Sequence, residues 1–234
     1  MFQVPIGVSE LRRAILLLAA ALSASAAAPA SAHRHDLKVR FMAQQTPSWC
    51  WAASASMALK FLGFPDINEV SNYQCGVVAA TFPECEDDCT KCNVALDRMP
   101  SFVTLLERYR DLTKGRPIGV GAPFRPNYVA YPEFASIKQS IDLSYPVIGG
   151  ISVGQRPADP ALSQHAILIT GYDDDHLGTG EPWVVILDPY PYSPGESPWL
   201  SAGYRSSAGR LTVPWRFVRD RMNLTSAVFL EARA

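Results

Sequence analysis

Residues 44–52 read Gln44-Gln45-Thr46-Pro47-Ser48-Trp49-Cys50-Trp51-Ala52, and an alanine-rich run follows as far as Gly63 and Pro65. Pro47 and Ser48 are good helix-starting residues, alanine favours the helix interior, and Gly63 with Pro65 ends it, so a helix is predicted over Ser48–Gly63. Trp51, Ala55, Ala58 and Leu62 recur at helical spacing and should face a core. Cys50 then falls on the first turn, against the positive end of the helix dipole and beside unpaired backbone N–H groups. Both favour the thiolate, the nucleophilic form of the side chain. The same N–H groups can stabilise an oxyanion on a carbonyl that the sulfur attacks. Gln44, six residues upstream, can bring a side-chain amide donor to that oxyanion.

Downstream, further helices are expected at Ser101–Leu112 and Phe134–Leu143, with the Pro- and Gly-rich stretch Gly115–Pro132 between them as an irregular crossover. After Tyr145 the pattern changes. Pro146–Val153, His165–Tyr172, Pro182–Asp188 and Ala227–Glu231 are short, rich in Val, Ile and Leu, and bounded by turn residues, which predicts strands. Helices followed by strands imply an α+β fold with a cleft between two lobes, a helical one at about 33–130 and a β one at about 131–234. If His165–Tyr172 and Glu181–Asp188 pair as an antiparallel hairpin, His165 lies across from Asp188. The carboxylate can then fix the imidazole tautomer and stabilise the imidazolium, making His165 a base for Cys50. Pro189–Pro198 should be a rigid extended segment at the surface or lining the cleft. Trp183, Trp199, Tyr190, Tyr192 and Trp215 are aromatic residues that either line a substrate groove or pack.

The chain has five cysteines. Cys75, Cys85, Cys89 and Cys92 crowd together and most simply form two disulfides stapling a long loop, with three pairings open. Zinc is the rival, because Cys85-x3-Cys89-x2-Cys92 has ligand-like spacing. Either way Cys50 is left over.

The first 32 residues read as an export signal: Arg12 and Arg13, an apolar run over Ala14–Ala28, then Ala30-Ser31-Ala32, with cleavage expected after Ala32. That places the mature protein in the periplasm or outside the cell, where disulfides persist. Hydrophobic residues make up 48% of the 234 and charged ones 18%, with a formal net charge of −1. This composition excludes a mainly disordered chain, and the scattered Lys and Arg give no footprint for nucleic acid or an anionic membrane. The expected partner is a protein or peptide substrate, with no cofactor, no metal, no nucleic acid and no membrane after signal cleavage, and the protein is expected to be a monomer. Two weaker signals remain. His33-Arg34-His35 at a new amino terminus has copper- or nickel-chelating groups, and Asp173-Asp174-Asp175 with Glu181 suggests calcium, although a solvated hairpin loop is the better reading of the second.

The sequence resembles the papain-like cysteine peptidases. Gln44-x5-Cys50-Trp51-Ala52 matches their Gln-x5-Cys-Trp-Ala signature, and His165-Ala166 opening a strand that ends in Gly171-Tyr172 is similar to their His-Ala strand. Asp188-Pro189 stands where many bacterial relatives also carry Asp, and the Trp-Cys-Trp-Ala-Ala core looks like small secreted or effector-type bacterial members. The resemblance implies a papain-like two-lobed fold with an antiparallel C-terminal sheet. It implies a nucleophile at Cys50, a general base and acid at His165, an orienter at Asp188 and an oxyanion donor at Gln44. The implied activity is peptide-bond hydrolysis through an acyl-enzyme. The alternatives are an amidase, deamidase or acyltransferase with the same triad, or a non-catalytic interaction module that keeps the fold. Three features depart from the family pattern. Pro47 replaces the first local cysteine, so the Cys75–Cys92 cluster must supply the stapling. Cys50 and His165 are 115 residues apart, below the usual separation of about 130–150. Only 11 residues separate Ala32 from Gln44, too few for an inhibitory pro-domain.

Overall fold

In the computed structural model the described residues are 33–68, 72–114, 123–193, 195–202, 205–207 and 209–232; the export signal expected over 1–32 lies outside them. Helix α1 spans Cys50–Phe61 and buries every side chain from Trp51 to Leu59. An all-round apolar helix belongs in the middle of a fold, and α1 lies against the sheet, with Ser54 Oγ donating to the Ala166 carbonyl at 3.2 Å. The helix begins two residues later than the sequence suggested, because Thr46–Trp49 form a turn in which Trp49 N donates to the Thr46 carbonyl.

The four clustered cysteines are all disulfide-bonded, as Cys75–Cys89 and Cys85–Cys92. Their segment is not the plain loop expected. Tyr73–Thr81 forms a helix, α2, started by the Asn72 side chain accepting from Cys75 N. Two single-turn helices follow at Pro83–Cys85 and Cys89–Lys91. The stapled unit is fastened to the start of α1 by two indoles: Trp49 Nε1 donates to the Cys92 carbonyl at 2.8 Å and Trp51 Nε1 to the Val94 carbonyl at 3.0 Å. Helix α3, Ser101–Leu112, buries Phe102, Leu105, Leu106 and Tyr109 on one stripe. Helix α4, Phe134–Asp142, buries Ile137 and Ile141.

Eight strands form one antiparallel sheet among the described residues: β1 Arg34–Asp36, β2 Phe124–Ala130, β3 Val147–Ile151, β4 His165–Asp173, β5 Trp183–Leu187, β6 Arg205–Ser207, β7 Arg210–Pro214 and β8 Ser226–Ala232. The order is β2-β8-β3-β4-β5-β7-β6, and β1 pairs with the far end of β4, beyond the reach of β3. Two strands therefore come from the half of the chain read as helical. β2 corrects the irregular crossover expected over Gly115–Pro132, of which 115–122 lie outside the described residues; its Pro126 is tolerated because, among the described residues, β2 is an edge strand paired with β8 alone. β1 places His35 of the His33-Arg34-His35 stretch in a strand paired with β4.

Gly150 on β3 is required by a close approach. A Cβ there would meet Met99 Cγ and Ser226 Oγ at 2.7 Å each. The missing side chain lets the segment leading into α3 lie directly on the sheet, which brings Met99 to the wall of the cleft.

Candidate active site

Cys50 opens α1, half-buried, and is the free cysteine of the described chain. No side chain caps this helix start and its first turn holds no acidic residue, so nothing competes with a reacting carbonyl for the first-turn amides.

His165 opens β4. Leu168 pairs with Leu187, so in the β4–β5 register Asp188 falls one residue past the last pair and diagonal to His165 on the same face. The side chains meet across that diagonal: His165 Nε2 lies 2.7 Å from Asp188 Oδ1. Cys50 lines the same cavity as His165 and acts on its titration, and with Nε2 taken by the carboxylate, Nδ1 is the atom left to face the sulfur. Burial alone would favour neutral imidazole. The bond to Asp188, the bond to Cys50 and the charges on both outweigh it and hold His165 pushed up to about 10.

Asp188 is 2% exposed and its oxygens are fully engaged. Oδ1 also accepts from Tyr190 N at 2.9 Å, and Oδ2 accepts from Trp199 Nε1 at 2.6 Å. Its own amide donates to the Gly209 carbonyl at 2.8 Å. Gly209 is at φ +73°, and a Cβ there would collide with the Phe41 ring, so this anchor for Asp188 depends on glycine. The phenol of Tyr192 faces the same carboxylate; burial and that negative charge push its pKa up. The Tyr190 ring stands edge-on to His165 at 6.2 Å between centroids, so the Pro-rich segment does line the cleft.

Gln44 is buried beside this centre, with its backbone amide on the Pro189 carbonyl at 2.9 Å. Its Nε2 donates to the carbonyls of Thr46 at 2.9 Å and Pro47 at 2.8 Å, so both amide protons brace the turn before Cys50. To serve an oxyanion, one of those bonds must be exchanged for a bond to substrate.

Sequence reasoning thus named four residues that the fold brings to one place. It did not assign Trp199 or Gly209, which hold Asp188. The signal for Trp199 was general: a buried indole N–H needs an acceptor, but sequence does not say which. Beside the triad lies a cavity of about 350 Å³ walled by Trp51, Met99, Phe102, Gln164 and Tyr192 with Cys50 and His165.

Among the described residues no group of three or more His, Cys, Asp or Glu is arranged to hold a metal ion; the disulfides overturn the zinc alternative for the cysteine cluster. In the hairpin loop, Asp174 accepts from Lys138 and from His33 N, and Asp175 from Gly180 N. Asp174 thus ties the loop to α4 and to His33, and Asp175 is spent within the loop itself.

Residues 36–206 match the family model described as the Peptidase_C39 like family. A structure from Bacillus anthracis, described as a C39-like peptidase, shares 12% identity with a TM-score of 0.51, covering 86% of this chain and 99% of its own. A structure concerning the mite allergens Blo t 1 and Der p 1 shares 11% identity with a TM-score of 0.52, covering 89% of this chain and 73% of its own. At these identities the likeness is one of fold. No curated protein matches the chain.

Proposed function

Because the chain belongs to the Peptidase_C39-like family, we propose that it is an exported cysteine peptidase whose nucleophile is Cys50. The observation that carries this reading is the line from a half-buried thiol through an imidazole to a buried, fully hydrogen-bonded carboxylate. The thiolate of Cys50 attacks the scissile carbonyl, forming a C–S bond while the carbonyl electrons move to oxygen. The first-turn amides of α1 and one N–H of Gln44, released from Thr46 or Pro47, receive that charge. His165, already an imidazolium, protonates the departing amine from Nδ1 as the C–N bond breaks, leaving a thioester. The now neutral ring takes a proton from water, whose oxygen attacks the thioester carbon; the C–S bond then breaks, releasing the acid product and restoring thiolate and imidazolium. Asp188 keeps Nε2–H as its donor throughout, which fixes the tautomer with Nδ1 toward sulfur.

Export is part of the reading. Cleavage after Ala32 would leave β1 as the first element of the mature chain, and two disulfides suit an oxidising compartment. Amino-terminal sequencing of the exported protein should begin at His33.

The chemical test is alkylation. Without reductant, iodoacetamide should modify one thiol, at Cys50, faster than free cysteine near pH 6. Peptide-library cleavage should disappear in Cys50→Ser. Slow labelling with no peptide cleavage overturns the peptidase reading and leaves a non-catalytic module, whereas cleavage that survives the substitution overturns Cys50 as its nucleophile.

A further inference from the structure

The end of β4 remote from His165 carries a polar cluster that the chemistry at Cys50 does not use. Tyr172 is buried there. Its hydroxyl donates to Asp142 Oδ1 on α4 at 2.5 Å and accepts from Lys138 Nζ at 3.1 Å. The same ammonium lies 4.2 Å from the centre of the Tyr172 ring and 2.8 Å from Asp174 Oδ2. The segment leading through β1 closes the cluster: His33 Nδ1 meets the Tyr172 hydroxyl, and His35 Nδ1 lies 3.3 Å from Asp142 Oδ1. Asp173, opposite Arg34 in the register, is bonded to His176 Nδ1 at 2.9 Å instead.

One bond in this cluster stands where the chemistry of the chain changes. The His33 nitrogen donates to Asp174 Oδ1 at 2.6 Å, and the Asp174 nitrogen donates back to the His33 carbonyl at 3.1 Å. In the uncut chain the first donor is a neutral amide. Cleavage after Ala32 would turn that nitrogen into an ammonium in place, and a charge-assisted bond is roughly twice as strong as a neutral one. The charges point the same way. Among the described residues bonded in this cluster, two carboxylates, Asp142 and Asp174, meet one ammonium, Lys138; cleavage supplies a second. The bond from Lys138, with the His33 N–H behind it, already holds Asp174 below the usual carboxylate range against its partial burial, so the receiving group is ionised.

We propose that Asp174 is the receiving site for the amino group that signal cleavage creates, an ion pair that locks β1 to β4 and α4 and is withheld from the precursor. From β1 the chain runs through buried Leu37 and Val39 to Gln44. The latch therefore fixes the outer end of the segment whose inner end braces the turn before Cys50. The proposal rests on the export reading for the cut, but a tag protease that leaves His33 as the first residue tests the site directly.

Four proteins are melted calorimetrically: the chain starting at His33, the chain starting at Ala30, whose ammonium lies three residues upstream, and Asp174→Asn in each. The substitution breaks the Lys138 pair in both chains but the amino-group pair in the first alone. Near pH 7 it should therefore lower Tm by about 2–4 °C more in the His33 chain than in the Ala30 chain. A carboxylate raises the amine above its ordinary value of about 7.7–8.0, which gives stability complete below that range and lost as pH climbs through the raised value. The excess should accordingly fade toward about pH 10. Lys138, Tyr172, Asp142 and the two histidines are common to all four proteins, so their titration cancels. Equal losses in both chains, or an excess unchanged at that pH, overturn the latch. An exported protein whose sequence begins elsewhere than His33 would overturn cleavage after Ala32, and with it the latch in the cell, whatever the melts show. Neither readout involves hydrolysis, so the peptidase reading stands or falls separately.

Discussion

Cys50 and Asp188 belong to one chemical unit, yet the molecule holds them in opposite ways. The cysteine stands half-buried at a helix start that no side chain caps. What positions it lies around it: two indoles anchored on the disulfide-stapled segment and the Gln44-braced turn. The carboxylate is buried in the lobe built on the sheet, and every one of its oxygens is engaged, with its amide fixed to Gly209. As the proposed nucleophile, Cys50 must be reached by substrate, so it is held by its surroundings. A group that only orients and neutralises is most effective when dry, so it is held by direct bonds and contributes to the fold as well as to the chemistry.

Truncating each in turn gives the sharpest test of that contrast. Cys50→Ala and Asp188→Ala should each lower kcat/KM by about 10⁴-fold or more. Only the second should also cost stability, because it leaves the buried Trp199 indole and the His165 ring without their acceptor, at about 1–3 kcal/mol for each unsatisfied group. Calorimetric melting of both variants reads this directly. Equal melting temperatures would mean that the carboxylate is no more structural than the thiol. Removing the staple on the other side, Cys75→Ser with Cys89→Ser, should cost about 3 kcal/mol for a loop of this size, seen as a lower denaturant midpoint. Its effect on alkylation of Cys50 should exceed its effect on a His165–Asp188 signal by NMR, because Trp49 and Trp51 transmit the loss to the helix start alone.

The sequence was most legible where one residue pattern maps onto one element. Ser101–Leu112 and the strands near Val147, His165, Trp183 and Ala227 were read within a few residues of where they lie, because their apolar period or β-branched runs agree with their burial. The joining of Cys50, Gln44, His165 and Asp188 was also readable, through the signature around Cys50 and the hairpin that carries the other two. The parts that were not legible depend on tertiary context. Tyr73–Thr81 carries Gly76 and Cys75, poor helix formers, and is helical because it is bolted by Cys75–Cys89 and packed on α1. Arg34–Asp36 has no strand pattern and gains its order from β4, with Arg210 paired to Asp36. The β2 strand hides behind Pro126, and Trp199 finds Asp188 through an irregular segment that no periodicity describes.

The smallest effects should come from tuning the pair that spans both regions. His165 is held protonated to about 10 against the ordinary 6.5. A folded-state value raised above the unfolded one gives stability that is complete below about 6.5 and lost as pH rises through about 10. The alkaline limb of kcat/KM should follow the same proton and lie near 10, since neutral His165 cannot protonate the leaving amine. In Cys50→Ser the sulfur's bond and charge are gone, so the imidazole titration followed by NMR should fall toward the ordinary value while the Asp188 contribution remains. Trp199→Phe should move it the other way. With one donor fewer, Oδ2 of Asp188 keeps more of its charge, attracts the imidazolium more strongly, and shifts the alkaline limb upward by a few tenths of a unit, while looser positioning of the ring lowers kcat by about tenfold. An unchanged limb in Trp199→Phe would show that the indole only packs against the carboxylate. A downward shift would show that it helps to exclude water from the pair.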